Sequence, residues 1–240
     1  MPSHDRGPAL SRRGFRIGGA ACAGALAVPT VAGAARAADG YTLTVTNDST
    51  RYQDLCVYQQ PAGLGVPGAL SRAWLTAPAW PGTTATFTWS PTYSFVMAVT
   101  GALAPGGLFS SWREVAADPS DPLRNRIEFD HDHGKFAFAP ATGPGHVGAL
   151  EIDVTSDVPR ATASVGIGMS DAPVFAAQAV PGTTPTFTPN PQYWITAGAF
   201  TQGMVLDTEE ITEAAPVPFD NTSTMRAVLD PNGPWTVTPG

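Results

Sequence analysis

The stretch PGTTATFTWSPTYSF, Pro81 to Phe95, returns 100 residues later as PGTTPTFTPNPQYWI, Pro181 to Ile195, with nine of the fifteen positions identical and no gap. Successive side chains of an extended chain point to opposite faces. In TATFTW this puts Ala85, Phe87 and Trp89 on one side and Thr84, Thr86 and Thr88 on the other. The pattern is that of a half-buried strand entered through a Pro-Gly turn. The second copy keeps Phe187 and the threonines Thr184, Thr186 and Thr188, but places Pro189 where the first has Trp89. Phe87 and Phe187 are therefore expected in a core, with the two PGTT turns as features of the fold. Tyr93 and Tyr193 follow a shared proline turn and read as anchors.

Working outward, the repeat continues. TLTVTNDS (Thr42–Ser49) aligns with EIDVTSDV (Glu151–Val158), setting Val45, Thr46 and Asp48 against Val154, Thr155 and Asp157. LCVYQ aligns with SVGIG, which sets Cys56 against Val165 and Tyr58 against Ile167. TGALAPG (Thr100–Gly106) matches AGAFTQG (Ala197–Gly203), and FDHDHGKFAFAP (Phe129–Pro140) matches LDPNGPWTVTP (Leu229–Pro239) with one residue dropped. Twelve short runs, from YTLTVT to WTVT, are rich in β-branched and aromatic residues, and turn residues separate them at the spacing of an all-β sandwich or barrel. With 24 prolines and 25 glycines, long helices would be broken repeatedly. The fold class expected is all-β: a duplicated β-sandwich, two pseudo-symmetric units of six or seven strands packed into one compact body. The units span residues 38–140 and 150–240, joined by the linker ATGPGHVGA at 141–149.

The N-terminus addresses the chain elsewhere. Ser11-Arg12-Arg13 with Phe15 and Arg16 has the form of a twin-arginine export signal, followed by a weakly apolar run and an A-x-A cleavage site at Ala35–Ala37. Residues 1–37 are expected to be cleaved and the mature protein to be secreted already folded. Cys22 leaves with the signal, so Cys56 stands without a disulfide partner and reads as a small buried hydrophobe. Removing residues 1–37 also takes away five arginines and one aspartate, leaving 8 basic against 19 acidic residues and a net charge near −11. Such a surface repels phosphate backbones and anionic headgroups, so neither nucleic acid nor a membrane is expected as partner.

Catalytic signatures are thin. Two histidines and two aspartates in DHDHG (Asp130, His131, Asp132, His133) carry metal-ligand chemistry, although the corresponding DPNG is a plain turn. GIGMSDA, Gly166 to Ala172, is not a nucleophile elbow and sits in a strand-and-turn context. A triad would have to draw on His131, His133 or His146. A carboxylate pair for glycoside hydrolysis would have to come from Glu114, Glu128, Glu151, Glu209 and Glu210. No catalytic residue is assigned and no cofactor is expected. The aromatics lead instead. Trp89, Trp112 and Trp194 have no tryptophan at the matching place in the other copy, and they are the candidate ligand-binding residues.

The phrases LCVYQ, YSFVMAVTGALAPG, SVGIGMS, TFTPNPQYWITAGAFTQGMVLD and WTVTP resemble the rhizosphere-induced protein family (RhiA-like) over nearly the whole mature chain. The resemblance implies small bacterial proteins linked to life near plant roots and supplies no catalytic residues. The function expected is an exported, non-enzymatic protein that binds carbohydrate, another extracellular polymer or a surface ligand. The alternatives are a secreted hydrolase of polysaccharide or polyphenol and a self-associating structural protein.

Overall fold

The structure, a computed structural model, describes residues 40–109 and 112–240. The export signal read over residues 1–37 lies outside them. The described residues form seventeen strands and no helix. The strands are β1 (Tyr41–Asn47), β2 (Gln53–Gln59), β3 (Leu70–Ser71), β4 (Leu75–Ala79), β5 (Thr83–Trp89), β6 (Tyr93–Ala98), β7 (Trp112–Ala117), β8 (Arg126–Asp132) and β9 (Lys135–Pro140), followed by β10 (Leu150–Val154), β11 (Ser164–Met169), β12 (Ala172–Gln178), β13 (Thr186–Phe187), β14 (Tyr193–Gly198), β15 (Ala214–Pro216), β16 (Thr224–Leu229) and β17 (Trp235–Pro239). No helix among the described residues is long and apolar enough to cross a membrane.

The strands form four sheets, and every sheet takes strands from both sides of residues 141–149. Sheet I runs β17-β16-β1-β5 and sheet II β9-β8-β10-β13. In sheet I, β1 lies parallel to β16 and antiparallel to β5. In sheet II, β10 lies parallel to β8 and antiparallel to β13. Sheet III runs β3-β12-β11-β6-β7 and sheet IV β4-β2-β14-β15. A single hydrophobic cluster draws on all four: Leu43 and Phe87 from sheet I, Phe129 and Leu150 from sheet II, Phe95 and Ile167 from sheet III, Val57 and Ile195 from sheet IV. Each such side chain contributes about 1.5–3 kcal/mol by leaving water.

The PGTT turns fold as expected. Gly82 and Gly182 take φ of 76° and 73°, the left-handed conformation that the third residue of a type II turn requires. The N–H of Gly82 donates to Asn47 O at 2.7 Å, and that of Gly182 to Val154 O at 2.9 Å. Phe87 and Phe187 are both buried.

Three expectations are corrected. The region before residue 141 holds nine strands and the region after it eight, rather than six or seven apiece. Of the five that alternation did not reveal, β12 is buried along both faces, so it carries no polar period, and β4 contains Pro78. β3 and β15 are only two and three residues long. The repeat register also differs. Leu43 pairs with Phe87 and Leu150 with Phe187, so Leu43 answers to Leu150, two residues from the alignment by identity. A shift of two leaves every side chain on its original face, so the hydrophobic pattern could not expose it. In sheet IV, Gln59 pairs with Tyr193, and in sheet III Met169 pairs with Tyr93. Counting back from these pairs, Cys56 answers to Gly166 rather than Val165. Val165 belongs to the main core, whereas Cys56 packs on the other face of its sheet with Tyr58, Ala73 and Leu206.

Candidate functional site

Of the three tryptophans picked out above, Trp89 is not at the surface. Trp89 is 4% exposed, and its ring sits 5.4 Å from Trp74 and 5.0 Å from Tyr193, with Phe219 also against it. A ligand cannot stack on it while this knot of rings is closed, so Trp89 is corrected to a core residue. Its inward place follows from the alternation of TATFTW, which puts it on the same face as the buried Phe87. Trp194 in β14 is half-buried and packs on the small cluster of Cys56, Tyr58, Ala73 and Leu206. Trp112 opens β7 opposite Ala98, and its side chain lies outside the described residues.

Among the described residues the exposed tryptophan is Trp80. It is 64% exposed and meets Tyr52, itself 44% exposed, edge to face with 4.9 Å between centroids. Both partners are held in place. The Trp80 carbonyl accepts from the N–H of Thr83 at 3.0 Å and its hydroxyl at 2.7 Å. The Tyr52 hydroxyl donates to Asp54 at 2.7 Å, which raises the phenol pKa above its ordinary value. The signal that would have found Trp80 was in the repeat, where the matching residue is Val180. The criterion that singled out Trp89, Trp112 and Trp194 applies to it equally.

DHDHG forms the tip of the β8–β9 hairpin. His133 and Gly134 take φ of 48° and 77°, the two left-handed residues of a type I′ turn. Strand alternation then sets Asp130 and Asp132 on one face of β8 and His131 on the other, where its ring lies 4.5 Å from Phe136. Asp130 accepts from the Thr155 hydroxyl at 2.8 Å, and Asp132 pairs with the exposed His133 ring at 2.6 Å. The four residues do not converge, and among the described residues no group of three His, Cys, Asp or Glu is placed to hold a metal ion.

Other polar groups are committed to structure. Ser170 and Asp171 take φ of 50° and 60° in the β11–β12 turn, and the Ser170 hydroxyl bonds both the N–H and the C=O of Ser90. His146 pairs with the buried Glu151, while Arg126 grips Asp153 at 2.8 and 3.0 Å and reaches Glu151 at 3.7 Å. Glu128 shares the outward face of sheet II with Asp153, its partner across the β8–β10 pair. A cleft of about 680 Å³ lies between the start of β6, the end of β7 and residues 147–148, lined in part by Tyr93, Asp118 and Arg124. Hydrogen bonds from Ser120 hold Asp118 below the usual carboxylate range, with Arg124 adding to the effect. None of Glu114, Glu128, Glu151, Glu209 and Glu210 lines this cleft. The Cys56 thiol is fully buried and burial raises its pKa, which removes it as a nucleophile.

These features define an all-β protein with a braced aromatic pair on its surface. The chain belongs to the RhiA family, whose model matches residues 38–240. It is similar to Protein RhiA of Rhizobium leguminosarum bv. viciae, 36% identical over 217 residues that cover 86% of this chain and 90% of the relative. No solved structure matches it.

Proposed function

We propose that this RhiA-family protein is exported through the twin-arginine route and binds an extracellular polymer, a carbohydrate, without cleaving it. The observation that carries the reading is the exposed Trp80–Tyr52 pair. Aromatic faces bury a large apolar area at small entropic cost, and a tryptophan ring leaves sugar hydroxyls free at its edge. Export is supported by the SRRGF motif and by a family match that starts at residue 38, directly after the A-x-A site. Replacing Arg12 and Arg13 by lysine should hold the protein inside the cell, and secretion of that variant would refute this route.

The architecture behind the reading is a duplicated unit whose halves have exchanged strands. Each of β1, β5, β16 and β17 in sheet I has its sequence counterpart in sheet II: β10, β13, β8 and β9. Sheets III and IV correspond in the same way, with β12, β11, β6 and β7 answering to β4, β2, β14 and β15. On this reading the two halves form one pseudo-symmetric body.

The test is a pulldown of residues 38–240 on insoluble cellulose, chitin and xylan, with soluble sugar assayed in the same tubes. Retention without release is expected. Release would favour the secreted hydrolase, and no retention of folded protein by any of the three would overturn the carbohydrate reading.

A further inference from the structure

The outward face of sheet I is a grid of hydroxyls. On β1 the residues that alternate with the buried Leu43 and Val45 are Thr42, Thr44 and Thr46. The register sets them opposite Thr88, Thr86 and Thr84 of β5, all three exposed. On the far side, Thr224 of β16 lies beside Thr42, and Thr236 and Thr238 of β17 continue the rows beyond Val228 and Arg226. Neighbouring strands stand about 4.8 Å apart and like-facing residues recur about every 6.7 Å along a strand. The hydroxyls therefore repeat in two directions. Threonine is stiff at χ1, so the array is ordered before any ligand arrives. The Thr46 and Thr84 hydroxyls already lie 3.1 Å apart.

The fold does not require this composition. In sheet II the register sets Glu151 in the place of Thr44 and Asp153 in the place of Thr46, with Arg126 standing where Arg226 stands. There the charges interlock: Arg126 binds Asp153, and the Thr184 hydroxyl donates to Asp153 at 2.8 Å. Sheet I carries no carboxylate among the outward residues of its strands, in a protein whose net charge is −7 overall. The nearest carboxylates along these strands are Asp48, one residue past the end of β1, and Asp230, one residue past the end of β16 and engaged by the Thr236 hydroxyl at 3.0 Å.

We propose that the outward face of sheet I is the binding surface for a neutral polyhydroxylated polymer, with the Trp80–Tyr52 pair at one end of it. This deepens the function proposed above and rests on it. Each threonine hydroxyl donates and accepts, as the hydroxyls of an uncharged polysaccharide do, and Arg226 is the single charged side chain among the outward residues of these strands. The methyl beside it supplies apolar contact to a sugar ring. A repeating array suits a repeating ligand, because each residue of the polymer meets the same chemistry. The turn that carries Trp80 closes on this sheet, since Gly82 within it donates to Asn47 at the end of β1. The turn that bears the exposed ring thus stands at the Thr46–Thr84 end of the sheet.

The experiment transfers the sheet II residues into sheet I. T44E with T46D places acids where Arg226 already stands opposite Thr44, the arrangement that sheet II holds with Arg126. A second variant, T44V with T86V, keeps shape and strand preference and removes two hydroxyls. Retention on microcrystalline cellulose, chitin and xylan is measured for residues 38–240 beside both variants and Trp80→Val. At least a tenfold loss of affinity is expected for the acidic pair and a smaller loss for the valine pair. Loss on Trp80→Val with full retention of both threonine variants would overturn the threonine face and leave the carbohydrate reading standing. Failure of the unmodified protein to bind any of the three would sink both.

Discussion

Trp80 and Val180 occupy the same place on two copies of one turn. The Trp80 carbonyl accepts from the N–H and hydroxyl of Thr83 at 3.0 and 2.7 Å, and the Val180 carbonyl from those of Thr183 at 3.3 and 2.7 Å. The turn is thus served by its backbone and its threonine, and either side chain can stand on it. Trp80→Val should leave thermal unfolding within about 2 °C of the parent, since exposed substitutions away from caps and cores stay near ±0.5 kcal/mol. Circular dichroism checks this. A larger fall would mean that the ring against Tyr52 supports the fold.

Trp89 is the opposite case. Its ring is closed in by Trp74, Tyr193, Phe219 and Tyr41. Trp89→Ala should lower stability by about 3–5 kcal/mol, read from urea unfolding, because it opens a cavity among rings that cannot collapse fully. A cost under about 1 kcal/mol would contradict this packing.

Gly166 and Cys56 hold matching strand positions with unequal room. A Cβ on Gly166 would lie 2.0 Å from the Phe175 carbonyl oxygen and 2.9 Å from the Ala176 Cα, both backbone atoms. Gly166→Ala should therefore cost more than Cys56→Ala, by several degrees of melting temperature. Native Cys56 should also stay silent to a thiol reagent at pH 8 and react on unfolding, because burial disfavours its thiolate. Labelling of the folded protein would refute the burial.

Arg72 is a fully buried guanidinium. Its Nη2 donates to the Gly203 carbonyl and its Cζ lies 4.3 Å from the centroid of the Phe109 ring, while Nε and Nη1 have no hydrogen-bond partner. Burial pushes its pKa from 12.5 down to about 9. Arg72→Met should melt at the same temperature or higher, since an apolar side chain of similar size removes an uncompensated charge. The sign with pH follows from proton binding. Above about 9 the unfolded chain holds the proton that the folded one has lost, so the deficit of the parent against Arg72→Met should shrink as pH rises. A deficit that grows would contradict this.

Much of the fold is legible in local pattern. TATFTW announces β5 by alternation, and PGTT announces its turn by chemistry. What local pattern cannot carry is the partner of each strand. Nothing in MRAVL says that β16 will lie parallel to β1, more than 170 residues away in sequence, because the repeat identifies equivalent strands without saying which copy they join. The site was legible only in part for a related reason. Comparing copies shows which aromatics the fold can spare, yet Trp89 met that test and is buried, because its copy of the strand turns it into the core. Trp80 met it as well and is exposed, because it stands on a turn rather than in a strand.

Trp80 is proposed to meet a carbohydrate polymer. The most direct measurement is a binding isotherm of residues 38–240 against Trp80→Val on insoluble cellulose, chitin and xylan. Saturable retention of the parent on at least one of them, weakened tenfold or more in the variant, is the predicted result; this corresponds to about 1.4 kcal/mol, within reach of one aromatic contact. Equal isotherms for two folded proteins would contradict the claim.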